Sequence, residues 1–205
     1  ILKYYYTGVN LKKIEINDMK QPLKGKAIMI DAAHGGDKVK DNVGFSGLRE
    51  KDVNLDISCY LEERLQQLGA TVYMTRRKEE HIPVTQRAAA ANKLLPHFFI
   101  SIHQNHFKHP SMSGTEIYYY RGDKEAKRLA EEIIKEITEK LHIINRGVRT
   151  AEFFLLRDVK VSALHIEVGY ISNPEEEKLL MQEDTKRKVA LGIANGITKY
   201  YGYSL

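Results

Sequence analysis

From Lys26 onward, short apolar runs alternate with segments in which apolar residues recur every three or four positions. The first run, AIMID (27–31), reads as a buried strand. Val53, Ile57, Tyr60, Leu61, Leu65 and Leu68 then keep helical spacing, and Gly69 ends that helix. TVYMT (71–75) reads as a strand, and Val84, Ala88, Ala91 and Leu95 predict a helix over 84–95 that Pro96 stops. HFFISIH (97–103) and TEIYYY (115–120) are two further strands. Leu129, Ile133, Ile137 and Leu141 mark a helix from about residue 124. EFFLL (152–156) is expected as an edge strand and ALHIEVG (163–169) as a buried one. Val189, Ile193, Ile197 and Tyr200 place a long helix at the carboxyl end. This alternation predicts a single α/β domain, a mostly parallel twisted sheet with helices on both faces.

Residues 1–24 do not follow the pattern. YYYTGVNLKKIEI suggests a short hairpin or strand remnant around Gly8 and Asn10, with Pro22 and Gly25 punctuating the entry into the main fold. The segment is expected to be a linker or the remnant of a preceding module, and residues 25–205 the working domain.

Composition narrows the class. The chain has 205 residues and is 42% hydrophobic, enough for one domain with a sizeable core. No apolar run approaches the about 18–20 residues of a membrane span. The sequence begins at Ile1 without a charged and apolar leader, so either a leader was removed or the segment comes from a longer chain. Cys59 is the only cysteine, which excludes an internal disulfide and a cysteine metal cluster. The net charge of +5 suits either a solvated surface with a small lysine excess or anionic surroundings such as wall polymers. No long basic run or recognised nucleic-acid motif is present, so nucleic acid is not an expected partner.

Polar residues interrupt the apolar strands at telling places. The first strand runs into His34 and two glycines, HFFISIH ends on His103, and ALHIEVG carries Glu167 near its end. Glu50, in LREKD, precedes the helix that follows a long loop, residues 35–47. If the strands are parallel neighbours, these side chains reach one crevice. Two histidines and a carboxylate with an open fourth position form a catalytic zinc shell, and a further carboxylate can act as base. His34, Glu50 and His103 would be the ligands and Glu167 the base. No short local motif joins them, however. Histidines capping strands and glutamates in ion pairs remain an equally simple reading of residue type alone.

At these residues the sequence resembles the zinc-dependent N-acetylmuramoyl-L-alanine amidases of the amidase 3 family. IMIDAAHGG is similar to the family's first-strand motif, GLREKDVNL to its Glu-Lys-Asp motif, FISIHQN to its Ser-Ile-His motif and IEVGYISNPEE to its Glu-Val-Gly motif. NRGVR (145–149) and the Thr-Arg of YMTR (73–76) also fit, and the likeness covers residues 23 to about 202. The resemblance implies that His34, Glu50 and His103 bind Zn2+ and that Glu167 is catalytic. It implies hydrolysis of the amide between N-acetylmuramic acid and L-alanine in bacterial peptidoglycan, by a wall-associated extracellular enzyme expected to be a monomer. Asn105 shares strand parity with His103 and is expected to face the mouth of the site and contact substrate. Arg146 is a weaker candidate, because NRGVR also reads as a structural turn.

The sequence departs from the family at Ala32 and Ala33, where Pro-Gly is usual, and at His165, where an aliphatic residue is usual. His165 shares a face with Glu167 and reads as a core histidine, a hydrogen-bond partner or an extra ligand. His97, His106 and His109 are expected in solvent. Residues 104–114 are too few for the inserted helix that covers the site in some members, so an open site is expected. Two other functions compete: a wall-binding module that keeps the fold without catalysis, and a phosphate or nucleotide binder using the glycines after His34. The lone glycine pair is weak support for the second.

Overall fold

A computed structural model describes residues 3–7, 10–14, 21–36 and 40–203. At the amino end, β1 (Lys3–Thr7) and β2 (Asn10–Ile14) pair antiparallel, so the expected hairpin forms, although its turn lies outside the described residues.

The main domain is a six-stranded sheet. Its strands are β3 (Ala27–Ala32), β4 (Thr71–Met74), β5 (Phe98–Asn105), β6 (Thr115–Tyr119), β7 (Asn145–Thr150) and β8 (Ala163–Tyr170), in the order β4-β3-β5-β8-β6-β7. β4, β3, β5 and β8 run parallel. β6 runs antiparallel to β8, and β7 runs parallel to β6. The helices are α1 (Glu50–Gln67), α2 (Val84–Leu94), α3 (Lys124–Leu141), α4 (Phe154–Asp158), α5 (Pro174–Met181) and α6 (Glu183–Tyr200). The expected helices over Val53–Leu68, 84–95 and the carboxyl end all form.

One expected strand is wrong. EFFLL does not form an edge strand; Phe154–Asp158 is the short helix α4. Leu155 and Leu156 are adjacent and both buried, which suits a helix turn packed on the sheet better than an edge strand with one face open. A four-residue apolar run carries too little periodicity to decide between the two. The sheet edge is instead β7, the polar NRGVRT run, whose side chains do not alternate between apolar and polar.

Alternation along the strands divides the core in two. Ile28, Ile30, Ile100, Ile102, Ile117, Leu164 and Ile166 point to one face, under α1, α3 and α6. There α6 approaches α3 closely: a Cβ added to Gly196 would stand 2.6 Å from the Cα of Ile133. Met29, Phe99 and Ala163 point to the other face, where Ala88 and Ala91 of α2 and Leu155 and Leu156 of α4 cover them. Two residues along each of these strands, the same face carries Asp31, Ser101 and His165, and beyond them His103 and Glu167. The functional candidates therefore occupy the carboxyl-terminal half of a face whose other half is covered by α2 and α4.

Candidate metal centre

Strand register assembles the site. Asp31 of β3 pairs with Ser101 of β5, and Ser101 with His165 of β8; one step on, His103 pairs with Glu167. Neighbours in register on a sheet place their side chains on the same face. β6 adds Tyr118 opposite His165 and Glu116 opposite Glu167. The result is two polar rows crossing the middle of the sheet.

His34 follows β3, with its backbone in the left-handed region at φ 62°. A non-glycine residue seldom adopts that conformation. Arg87 holds it by donating from Nη2 to the His34 carbonyl at 2.8 Å. Ala32 and Ala33 are fully buried, and the Arg76 guanidinium donates to both carbonyls at 2.8 and 3.1 Å. Buried arginine clamps thus fix the approach to His34 without the family's usual Pro-Gly.

Glu50 opens α1, and its carboxylate is almost wholly buried, with 1% exposure. Oε1 accepts from the Gln104 amide at 3.1 Å and from Asn54 Nδ2 at 3.3 Å, while Oε2 accepts from the Asn42 amide at 3.3 Å. His34 Nε2 lies 3.3 Å and His103 Nδ1 3.1 Å from Glu50 Oε1. Burial pushes this carboxyl up, but hydrogen bonds to His103 and His34 outweigh it and hold the group far below the usual carboxylate range. For His103 burial works downward, and Glu50 with the neighbouring acids wins, raising the imidazole.

The second nitrogen of His103 fixes the tautomer that would bind metal. Ser101 Oγ donates to Asp31 Oδ2 at 2.7 Å, and His103 Nε2 lies 3.0 Å from the same hydroxyl. With its proton on Asp31, Ser101 accepts from Nε2–H. Neutral His103 then turns the Nδ1 lone pair toward Glu50. Asp31 is itself fully buried and held by Thr75 at 2.8 Å and Arg87 at 3.4 Å. Two lone-pair donors facing one another 3.1 Å apart require a proton or a cation between them. Donors about 2.0–2.2 Å from a tetrahedral zinc stand about 3.3–3.5 Å from each other, close to the separations seen here.

Glu167 lies across from His103 on β8. Its Oε1 is 2.8 Å from His165 Nε2, while Oε2 is buried with no hydrogen-bond partner among the described residues. His165 stacks on His103, with ring centroids 3.9 Å apart, and the Phe153 ring packs tilted against it at 4.7 Å. Burial and the nearby His103 lower the His165 imidazole, so it stays neutral and can donate Nε2–H to Glu167. His103, His165 and Glu167 form a second group close enough to hold a cation.

The structure thus brings His34, Glu50, His103 and Glu167 together. Asn105 sits at the rim beyond a bulge in β5 that separates it from His103. Its Oδ1 accepts from the His106 amide at 2.8 Å, and Nδ2 reaches Glu116 at 3.4 Å. His97, His106 and His109 are exposed as expected, although His97 Nδ1 accepts from the Ala27 amide at 3.0 Å. Residues 106–114 contain no helix, and the His34 side chain keeps 28% of its surface exposed, consistent with an open site. Sequence reasoning passed over Asp31, Ser101 and Arg87 as site residues, and noted Arg76 only within a family-like motif. Their signal was a charged or hydroxylated residue inside an apolar strand, or an arginine beside one.

Residues 28–199 match the sequence model of a family described as N-acetylmuramoyl-L-alanine amidase. The uncharacterised protein YqiI of Bacillus subtilis (strain 168) is 34% identical over 184 residues, which is 88% of this chain and 87% of YqiI. N-acetylmuramoyl-L-alanine amidase LytC of the same strain is 34% identical over 187 residues, 90% of this chain but 37% of LytC. The chain therefore spans little more than a third of that relative. Among solved structures, N-acetylmuramoyl-L-alanine amidase AmiC2 of Nostoc punctiforme is similar with a TM-score of 0.81 and 32% identity, over 87% of this chain and 98% of AmiC2.

Proposed function

Because the chain belongs to the N-acetylmuramoyl-L-alanine amidase family, hydrolases of an amide bond in peptidoglycan, we propose that His34, Glu50 and His103 hold a zinc ion and that Glu167 is the catalytic base. The observation that carries this reading is the convergence of three metal-ligating groups, with His34 Nε2 and His103 Nδ1 lying 3.3 and 3.1 Å from Glu50 Oε1. Beside them Glu167 Oε2 is buried and, among the described residues, has no hydrogen-bond partner. Zinc in that shell would act as a Lewis acid on the scissile carbonyl and lower the pKa of the attacking water.

The protein's own groups do the rest. Glu167 Oε2 accepts the proton as the water oxygen bonds to the lactyl carbon, and Oε1 stays on His165. When the carbon–nitrogen bond breaks, Glu167 returns the proton to the departing L-alanine nitrogen. The products are a lactyl carboxylate on the glycan and a stem peptide with a free amine. Glu50 stays ionised because the Gln104 and Asn42 amides and Asn54 Nδ2 donate to its buried carboxylate. Asn105 serves as a rim contact for the substrate. Peptidoglycan lies outside the cell membrane, so the protein works extracellularly at the wall. Among the described residues no helix is long and apolar enough to cross a membrane.

Digesting purified peptidoglycan and weighing the products tests the reaction. Free peptides beginning at L-alanine, with glycan strands intact, are expected, and a chelator should stop their release. Cut glycan, or release indifferent to chelation, would overturn the reading.

His165→Leu separates the two groups that could hold the cation. The ring hydrogen-bonds Glu167 and stacks on His103, but the zinc donors proposed here do not include it. The variant should keep a full equivalent of zinc and lose about tenfold or more in turnover, as an unanchored Glu167 samples other rotamers. Zinc loss in the variant would make His165 a ligand.

A further inference from the structure

The NRGVR segment is a built feature of the sheet edge. Thr115 pairs with Asn145 and Ile117 with Val148, so Arg146 and Gly147 together oppose the single residue Glu116. Gly147 takes φ 95°, in the left-handed region that favours glycine. Residues three apart on a regular strand point to opposite faces. The bulge removes that difference and turns Arg146 and Arg149 to the same carboxylate: Arg146 Nε lies 2.9 Å and Arg149 Nη1 3.6 Å from Glu116 Oε1.

This carboxylate is buried and well supplied. Tyr118 Oη donates to Oε2 at 2.6 Å, and Asn105 Nδ2 lies 3.4 Å from the same oxygen. Burial raises the Glu116 carboxyl, but Tyr118 and the two arginines outweigh it and keep the group ionised. Two guanidinium charges therefore face one negative charge. Arg146 is the tighter partner, partly covered and lying over the Tyr170 ring. Among the described residues, Arg149 makes only the longer contact and a 3.3 Å bond to the Arg146 carbonyl, and its side chain is 53% exposed.

The place of this excess charge is informative. Glu116 is the register partner of Glu167, and Arg149 the register partner of Tyr118, which in turn pairs with His165. Adjacent strands are about 4.8 Å apart, so β7 lies about 10 Å from the strand that carries Glu167. A peptide extended from the scissile amide advances about 3.3–3.6 Å per residue. Its second residue therefore arrives within reach of Arg149.

On the amidase reading of the site, we propose that Arg149, steered by Arg146 and Glu116, binds a carboxylate of the stem peptide, that of the residue following L-alanine. A guanidinium fork also suits the phosphate of a wall polymer. The position two strands from the base, at the distance of the second residue of an extended peptide, favours the peptide.

Two synthetic muramoyl dipeptides beginning with L-alanine, identical except that the α-carboxylate of the second residue is free or amidated, make the test. Affinities are measured on zinc-loaded Glu167→Gln protein, which needs no turnover, and cleavage is measured on the unaltered enzyme. The free acid should bind about tenfold more tightly than the amide. Adding Arg149→Gln should bring that ratio close to one, and Arg149→Lys should restore part of it, with zinc content and melting unchanged in both. Equal binding of the two peptides to the Glu167→Gln protein would overturn the subsite, as a site for wall phosphate predicts. So would a ratio that survives Arg149→Gln. Discrimination in binding with no cleavage of either peptide would instead overturn the amidase reading and leave the subsite standing.

Discussion

Glu167→Gln should give a folded, zinc-loaded protein that releases stem peptides at least about 10²–10⁴-fold more slowly, the usual effect of losing general acid–base catalysis. The substitution is nearly isosteric. Glutamine's side-chain oxygen can still accept from His165 Nε2, which is 2.8 Å from Glu167 Oε1. What changes is the buried, unpartnered Oε2, which becomes an amide that cannot take a proton at neutral pH. The loss should exceed the lower end of that range, because one carboxylate is assigned both the attack and the departure. A structural Glu167 predicts a different pattern, with melting temperature, zinc content and activity falling together. Zinc content, thermal melting and muropeptide release on one preparation distinguish the two. Near-normal release with zinc retained would assign the proton transfer elsewhere, and His165 is the nearest titratable neighbour on that strand.

Removing a proposed ligand should have the opposite signature: zinc and activity go together. In His34→Ala or His103→Ala, Glu50 Oε1 loses one of the two imidazoles at 3.3 and 3.1 Å, and activity should fall to background. Ser101→Ala provides the graded control. It leaves every proposed ligand in place but removes the hydroxyl that fixes the His103 ring, and an outer partner of this kind typically contributes about 10–100-fold in metal affinity. Zinc titration of the three proteins should therefore show two that hold no metal at micromolar concentrations and one with a weakened site. A full equivalent of zinc on purified His34→Ala would contradict the assignment.

The sequence exposed some of this arrangement more readily than the rest. Strands with strong apolar patterning, such as FFISIH, were legible because both of their faces needed burial, and the histidine that broke each run stood out. Glu50 was legible through the long loop before α1. EFFLL was not, because so short an apolar run fits a strand and a helix turn equally well. NRGVRT, left open between a family motif and a structural turn, was not recognisable as a strand because it is polar and interrupted by a bulge, although it forms a sheet edge.

The supporting groups were hidden for a related reason. Asp31 and Ser101 lie within apolar strands, and their role follows only from the lateral register that sets them side by side with His103. Arg76 and Arg87 come from other elements, and nothing local in the chain says that their guanidinium groups bind the carbonyls around His34. His165 was placed on the correct face by strand parity alone. Its stack on His103 and its bond to Glu167 needed the neighbouring strand.

Two overlapping groups share His103, one with His34 and Glu50, the other with His165 and Glu167. Diffraction from zinc-loaded crystals on either side of the zinc absorption edge locates the ion directly. The account predicts one anomalous peak bounded by His34 Nε2, Glu50 Oε1 and His103 Nδ1, with Glu167 outside the ligand shell. A peak between His103, His165 and Glu167 would contradict it, since the residue assigned as base would then be a ligand.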